Sequence, residues 1–293
     1  MLLPWFATQL VLAVLSALVA GPGRLRVTAT VLLLAAASAV PWIAPPVPIP
    51  RVFLSLIAAI ILIKDVQIAT TKEPWPVWRR IWHMLEPFDS REARFVRPAV
   101  DFRILANVLV QALIAGTMVL ALMRLGALPP VLRPPLRYVC WALFVCAWMD
   151  VAMEPLRFLH RLVGISFPAV QVAPLLSRSV GEFWGRRWNR PISGWLNRYV
   201  FLPLARRRLP ALGILLAFAV SGFFHAWMVS ASMPFSKVAL IWTFFMAQCV
   251  ALLLERRWSI RQWPIAPARA WTLLFLLTTS PLFFDPFLSL IGL

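Results

Sequence analysis

Eight apolar runs alternate with short polar or proline-rich breaks along the chain: Trp5–Ala20, Ala29–Ala44, Val52–Thr70, Ile104–Met123, Leu136–Met153, Leu209–Ser232, Val238–Leu254 and Trp271–Leu293. Each approaches or exceeds the roughly 20 residues that an α-helix needs to cross a bilayer core. The breaks are chemically sharp. Gly21-Pro22-Gly23 ends the first run, and Pro45-Pro46-Val47-Pro48-Ile49-Pro50 closes the second. Pro281, Asp285 and Pro286 interrupt the eighth. The pattern predicts an all-α polytopic integral membrane bundle, with about eight transmembrane helices and interfacial helices between them. Leu18 is a poor −3 residue for signal cleavage and no basic stretch precedes Trp5, so the first run is read as a retained span.

Two longer polar segments carry their own helical signals. In residues 71–103, Trp78 and Trp82 lie at i, i+4, interleaved with Arg79 and Arg80, which predicts an interfacial helix with tryptophan at headgroup depth. His83 is read there as an interfacial polar residue. In residues 154–208, which also hold His160, Ser179 and Glu182 have the spacing of a capping box. Pro191 predicts that the helix they start ends at Arg190. On that helix Trp184 and Trp188 share one face, and Arg187 and Arg190 share another. Such a helix lies in the interface, rings in the lipid boundary and guanidinium groups toward phosphate. Lys64 and Asp65, late in the third run, read as a snorkelling end of a span; a lining role is the other reading.

Composition strengthens this picture. Of 293 residues, 61% are hydrophobic, more than a soluble domain could solvate, so residues 1–293 read as one membrane domain. The net charge is +18. Its distribution argues against nucleic acid, because the basic residues sit in the breaks and no basic stripe lies on a soluble module. Of the 29 Lys and Arg residues, 24 fall on one side of the predicted spans and 5 on the other. That bias assigns the basic loops to the cytoplasm and both termini to the opposite face. Cys140, Cys146 and Cys249 all lie in apolar runs and show no metal-ligand spacing, so no metal is expected.

His225 is the one histidine well inside an apolar run. It is either a polar tie between helices or a general base, since an imidazole titrates near neutral pH. A proton relay in a transporter is a reading of another class. Transporters often carry paired halves with matching broken helices, and no such pairing is evident here. If the span begins near Leu209, His225 lies roughly 24 Å along it at ~1.5 Å per residue. That depth requires a deep recess or a tilted helix.

The string Glu182-Phe183-Trp184-Gly185-Arg186-Arg187-Trp188-Asn189, followed by a span containing Ser221-Gly222-Phe223-Phe224-His225, resembles the membrane-bound O-acyltransferase family, in its wax-synthase-like branch. The resemblance covers about residues 174–232. The amino-terminal half matches in general character, with Lys64 as a faint echo. The resemblance implies that His225 is catalytic with Asn189 as its partner. It implies acyl-CoA as co-substrate, a hydroxyl-bearing lipophilic acceptor, and no further cofactor. The implied product is a wax-type ester; short-chain acylation of a secondary metabolite or sugar is the alternative. The chemistry is coherent: a hydroxyl attacking a thioester needs a base, and the oxyanion that forms needs a fixed donor such as an asparagine amide. Arg186, Arg187 and Arg190 suit the phosphates of coenzyme A, with Trp184 and Trp188 as lining.

Overall fold

A computed structural model gives the structure of the chain and describes residues 2–21 and 23–290. Among the described residues seven helices are long and apolar enough to cross a membrane: Arg24–Ile43, Pro48–Ala69, Phe102–Ala127, Pro130–Leu162, Pro210–Ser230, Phe235–Arg257 and Ile265–Leu290. An eighth apolar helix, Leu3–Val19, has 17 residues. Every predicted run lies on one of these eight, and the last three residues of the final run lie outside the described residues. Among the described residues the strands are β1 (Arg94–Phe95) and β2 (Ile165–Ser166), paired antiparallel. The protein is therefore all-α and polytopic.

In chain order the helices are α1 (Leu3–Val19), α2 (Arg24–Ile43), α3 (Pro48–Ala69), α4 (Val77–Leu85), α5 (Phe102–Arg124) and α6 (Arg133–Leu162). They continue as α7 (Val180–Glu182), α8 (Arg190–Leu196), α9 (Leu202–Arg206), α10 (Pro210–Ser230), α11 (Phe235–Arg257), α12 (Ile265–Thr279) and α13 (Pro281–Leu290). By contacts the chain divides into two units. The first comprises Met1–Arg91, Val220–Trp242 and Pro286–Leu293; the second comprises Glu92–Ala219 and Thr243–Asp285.

The first unit packs α1 against α2, α3 and α4 through small residues. Ala13, Ala17, Ala20, Ala37 and Ala58 are buried together with Ile61, Ile68 and Met84, and Trp227 packs against them. Small side chains let helix backbones approach closely, which is how helices associate where lipid removes the hydrophobic incentive. Side-chain amides and guanidinium groups then tie the backbones. Gln9 Nε2 donates to Ala37 O at 2.9 Å and Leu54 O at 3.1 Å. Arg51 donates to the carbonyls of Ala44, Pro45 and Ala231, at the C-terminal ends of α2 and α10. Carbonyls at helix C-termini lack intrahelical partners, and a cation there satisfies them.

Lys64 does not snorkel. It is buried, and its Nζ donates to Glu86 O at 3.0 Å and Phe88 O at 2.5 Å, capping the turn after α4. Asp65 is buried and accepts from Ser16 Oγ at 2.6 Å. His83 is not interfacial either, being fully buried. Gln67 Nε2 donates to Asp89 Oδ2 at 3.1 Å, so its Oε1 must accept, and His83 Nε2–H donates to it at 2.9 Å. His83 Nδ1 is then the acceptor for the Ser90 hydroxyl at 2.6 Å. Trp78, by contrast, is exposed as an interfacial tryptophan should be, and Arg79 sits 4.5 Å over the Trp75 ring.

Burial, and after it the Lys64 charge, lowers the His83 pKa to about 3. Burial pushes the Asp89 carboxyl up, but the Arg91 hydrogen bonds and charge outweigh it and hold it below its usual range. Since the unfolded chain binds a proton at His83 near pH ~6.5 and the folded chain does not, stability is complete above that pH and is lost as pH falls. Between pH ~6 and ~4 the wild type should lose about 1.4 kcal/mol more per pH unit than His83→Gln. Parallel losses in a pH series of denaturation curves would refute this.

The second unit is built on the α5–α6 hairpin. Asp101 caps α5 by accepting from the Arg103 and Ile104 N–H groups. Helix α6 runs 30 residues, nine beyond the predicted end at Met153. It continues because its charges are matched within it: Arg157 pairs with Glu154 at i, i+3, and Arg157 Nε also donates to Phe167 O at 3.0 Å. At the turn into β2, Gly164 has φ +81°, and a Cβ there would meet Val96 O at 2.7 Å, so only glycine fits.

Candidate active site

The motif segment starts as its sequence predicts. Ser179 Oγ accepts from Glu182 N–H at 2.8 Å. The reciprocal bond is displaced by one residue: Glu182 Oε2 accepts from Arg178 N–H at 2.8 Å. Burial pushes the Glu182 carboxyl up, but the Arg178 N–H and the Arg187 guanidinium together hold it below its usual range.

The first turn has a second cap that the local pattern does not show. Glu255, buried near the end of α11, accepts from Val180 N–H at 2.5 Å and Gly181 N–H at 3.0 Å. It also accepts from Trp271 Nε1 at 3.0 Å. A carboxylate at a helix N-terminus satisfies orphan donors and meets the positive end of the dipole. In the sequence Glu255 stands beside Arg256 and Arg257 at the foot of an apolar run, where it looks like part of a charged loop.

The helix does not continue to Arg190. After Glu182 the chain forms a π-helical turn, Phe183–Arg187, closed by Trp188 N–H donating to Phe183 O at 2.9 Å. Trp188 is extended, and Asn189 is left-handed at φ 38°, ψ 58°. A new helix, α8, then starts with Pro191 in its first turn. Proline is favoured there because its missing N–H would have no partner anyway. Pro191 therefore marks a helix start two residues after a break. A second π-helical turn, Asn197–Phe201, follows. Such turns concentrate at functional sites.

The wider π turn parts the two tryptophans. Trp184 enters an aromatic cluster with Phe218, Phe244 and Phe245, and its Nε1 donates to Gln248 Oε1 at 3.3 Å. Gln248 is fully buried and donates to Thr279 Oγ1 at 2.9 Å. Trp184 thus packs in protein and not in a lipid boundary. Trp188 instead stacks on Phe183, with centroids 5.7 Å apart and planes 10° apart.

The arginines also divide. Arg187 Nε donates to Glu182 Oε1 at 2.6 Å, and its Nη1 donates to Val172 O and Ala173 O. Arg190 Nη1 donates to Ala169 O at 3.1 Å. Both hold the motif to loop 169–173. Arg186 is exposed and makes none of these bonds.

His225 belongs to the first unit, on α10; Asn189 belongs to the second. His225 Nδ1 lies 2.9 Å from Ser221 O. That carbonyl can only accept, so Nδ1 carries the hydrogen, and in the neutral ring Nε2 is the acceptor nitrogen. Ser221 sits one turn earlier on the same helix, as the S-G-x-x-H spacing requires. Among the described residues no group of three or more His, Cys, Asp or Glu side chains is arranged to hold a metal.

The architecture is that of a polytopic helical membrane protein with an irregular, arginine-rich motif segment. Residues 167–247 match the sequence model of the membrane bound O-acyl transferase family. The chain is 29% identical over 159 residues to Probable long-chain-alcohol O-fatty-acyltransferase 7 of Arabidopsis thaliana, covering 49% of this chain and 47% of that protein. It is 33% identical over 98 residues to Diacylglycerol O-acyltransferase 1 of the same plant, covering 32% of this chain and 17% of that protein. A third similarity, 33% over 135 residues, is to Probable long-chain-alcohol O-fatty-acyltransferase 3. The chain thus spans less than half the length of these relatives. Its motif segment is similar to those of membrane-bound O-acyltransferases.

Proposed function

We propose that this protein transfers a fatty acyl group from acyl-CoA to the hydroxyl of a lipophilic alcohol, forming a wax-type ester. The observation that carries the reading is His225, held by Ser221 O in the tautomer that a general base needs, in a chain whose motif segment has O-acyltransferase relatives. The alcohol oxygen attacks the thioester carbonyl as His225 Nε2 takes its proton. Asn189 donates to the oxyanion. Collapse breaks the C–S bond, and the imidazolium returns the proton to the departing thiolate. No acyl-enzyme is needed. A long-chain alcohol is the preferred acceptor because the matches to proteins named for that substrate cover more of this chain than the diacylglycerol ones.

The basic bias of 24 to 5 supports cytoplasmic placement of residues 154–208, with both termini on the opposite face. Acyl-CoA would then approach the arginine-rich side. Arg187 and Arg190 are engaged by the protein, so Arg186 is the stronger candidate for a coenzyme A phosphate.

Purified protein with labelled acyl-CoA and a panel of alcohols tests the reading. Base catalysis contributes about 10²–10⁴-fold, so His225→Gln, which keeps a hydrogen-bonding group but no titratable nitrogen, should be as inactive as His225→Ala. A Gln variant esterifying at near the wild-type rate would sink the mechanism. Arg186→Gln should raise the KM for acyl-CoA about tenfold with insertion intact; an unchanged KM removes Arg186 from donor binding. A cysteine placed at Arg198 should resist an impermeant thiol reagent in intact cells, and external labelling would invert the assigned orientation.

A further inference from the structure

We infer that Gln171 is a positioning residue for Asn189, pinning the left-handed turn on which Asn189 sits to helix α6. The functional part of this inference rests on the acyl-transfer reading above.

The turn is held from one side by a two-point backbone clamp. Val172 N–H donates to Arg187 O at 2.8 Å, and Arg190 N–H donates to Val170 O at 2.7 Å. These bonds bracket Trp188 and Asn189 on one strand and Gln171 on the other. The conformation they impose is unfavourable for a residue with a Cβ. An asparagine tolerates the left-handed region better than most, but a penalty of order 1 kcal/mol remains for such positions. A strained turn persists only where its surroundings over-determine it.

Gln171 supplies the fixed end of the clamp. It is 5% exposed, and its Nε2 donates to Cys146 O on α6 at 2.6 Å. The carbonyl can only accept, so the amide NH₂ must face α6. The Asp150 carboxyl, one turn along the helix, is within reach of the Gln171 and Asn107 side chains. Other ties from the loop to α6 lie four residues earlier and further from the clamp, at Phe167, whose carbonyl accepts from Arg157 Nε and whose ring meets His160. The guanidinium groups of Arg187 and Arg190 add bonds to the same loop's carbonyls. They fasten the motif to the loop, and Gln171 fastens the loop to the bundle. Without that tie, the clamp loses its nearest anchor on α6, and the turn that carries Asn189 loosens with it.

A misplacement of about 1 Å can cost about 10²-fold in rate. In the full chain reconstituted in lipid, Gln171→Met keeps length and bulk but removes the amide. It should lower kcat by about 10–10²-fold while KM for acyl-CoA stays within about twofold. Hydrogen exchange at the Val172 and Arg190 amides should accelerate, and exchange along α5 should not. Gln171→Glu provides an independent readout. Its protonated carboxyl can donate to Cys146 O, but the ionised form cannot. Asp150 and Glu154 on α6 and burial favour protonation, opposed by Arg157 on α6 and by Arg187 and Arg190 on the motif segment. Activity of this variant should therefore approach wild type at low pH and fall about tenfold relative to it as the acid ionises. A Gln171→Met kcat near wild type overturns the proposal, as does a Gln171→Glu profile parallel to wild type. If the wild type esterifies no alcohol, the acyl-transfer reading fails instead. Exchange at Val172 and Arg190 then decides the anchoring alone, acceleration supporting it and unchanged rates overturning it.

Discussion

Buried backbone that leaves the helical pattern must find its hydrogen bonds inside the protein, because no water reaches it. The motif segment meets this constraint with groups borrowed from other parts of the chain. Glu255 takes the N–H groups of Val180 and Gly181, 74 to 75 residues away in sequence. Loop 170–172 takes the carbonyl of Arg187 and the N–H of Arg190 on either side of Asn189. A buried group without a partner costs about 1–3 kcal/mol, so each borrowed bond is a condition for the irregular turn. The turn in turn presents an asparagine amide at a fixed place, which a regular helix at these residues would not do.

The same constraint explains which parts of the fold could be read directly from the sequence. All eight apolar runs became helices, because run length and the bilayer dimension are both local quantities. The S-x-x-E start at Ser179 was legible for the same reason. What failed was continuity. An i, i+4 pairing of Trp184 with Trp188 assumes 3.6 residues per turn, and the π turn at Phe183–Arg187 breaks that assumption. Pro191 carried a true signal of a boundary, but it fits a helix start as well as a helix end. Glu255 and Gln171 had no local signal. Each acts across a long sequence separation, and only the fold reveals what it touches.

The charged residues repeat this lesson. In sequence, Lys64 looks like the last residue of a span reaching for water. In the structure a capped turn at Glu86 and Phe88 supplies the carbonyls that water would otherwise provide. Arg187 and Arg190 likewise carry protein partners that the sequence does not show. Guanidinium groups suit carbonyl clusters as well as phosphate, since five donors in a rigid fork serve either.

His83 and His225 lie in the same unit and are held in different ways. His83 has both ring nitrogens assigned to side chains, Gln67 on one side and Ser90 on the other. Protonating it would bury a charge and set it beside Lys64, which is why it resists acid. His225 is oriented by a helix carbonyl one turn back, a partner that fixes the tautomer while keeping the ring on its own helix. The helix thus specifies which nitrogen of the neutral ring is the acceptor. A motif as short as S-G-x-x-H can fix an imidazole tautomer because one helical turn already contains the carbonyl that sets it.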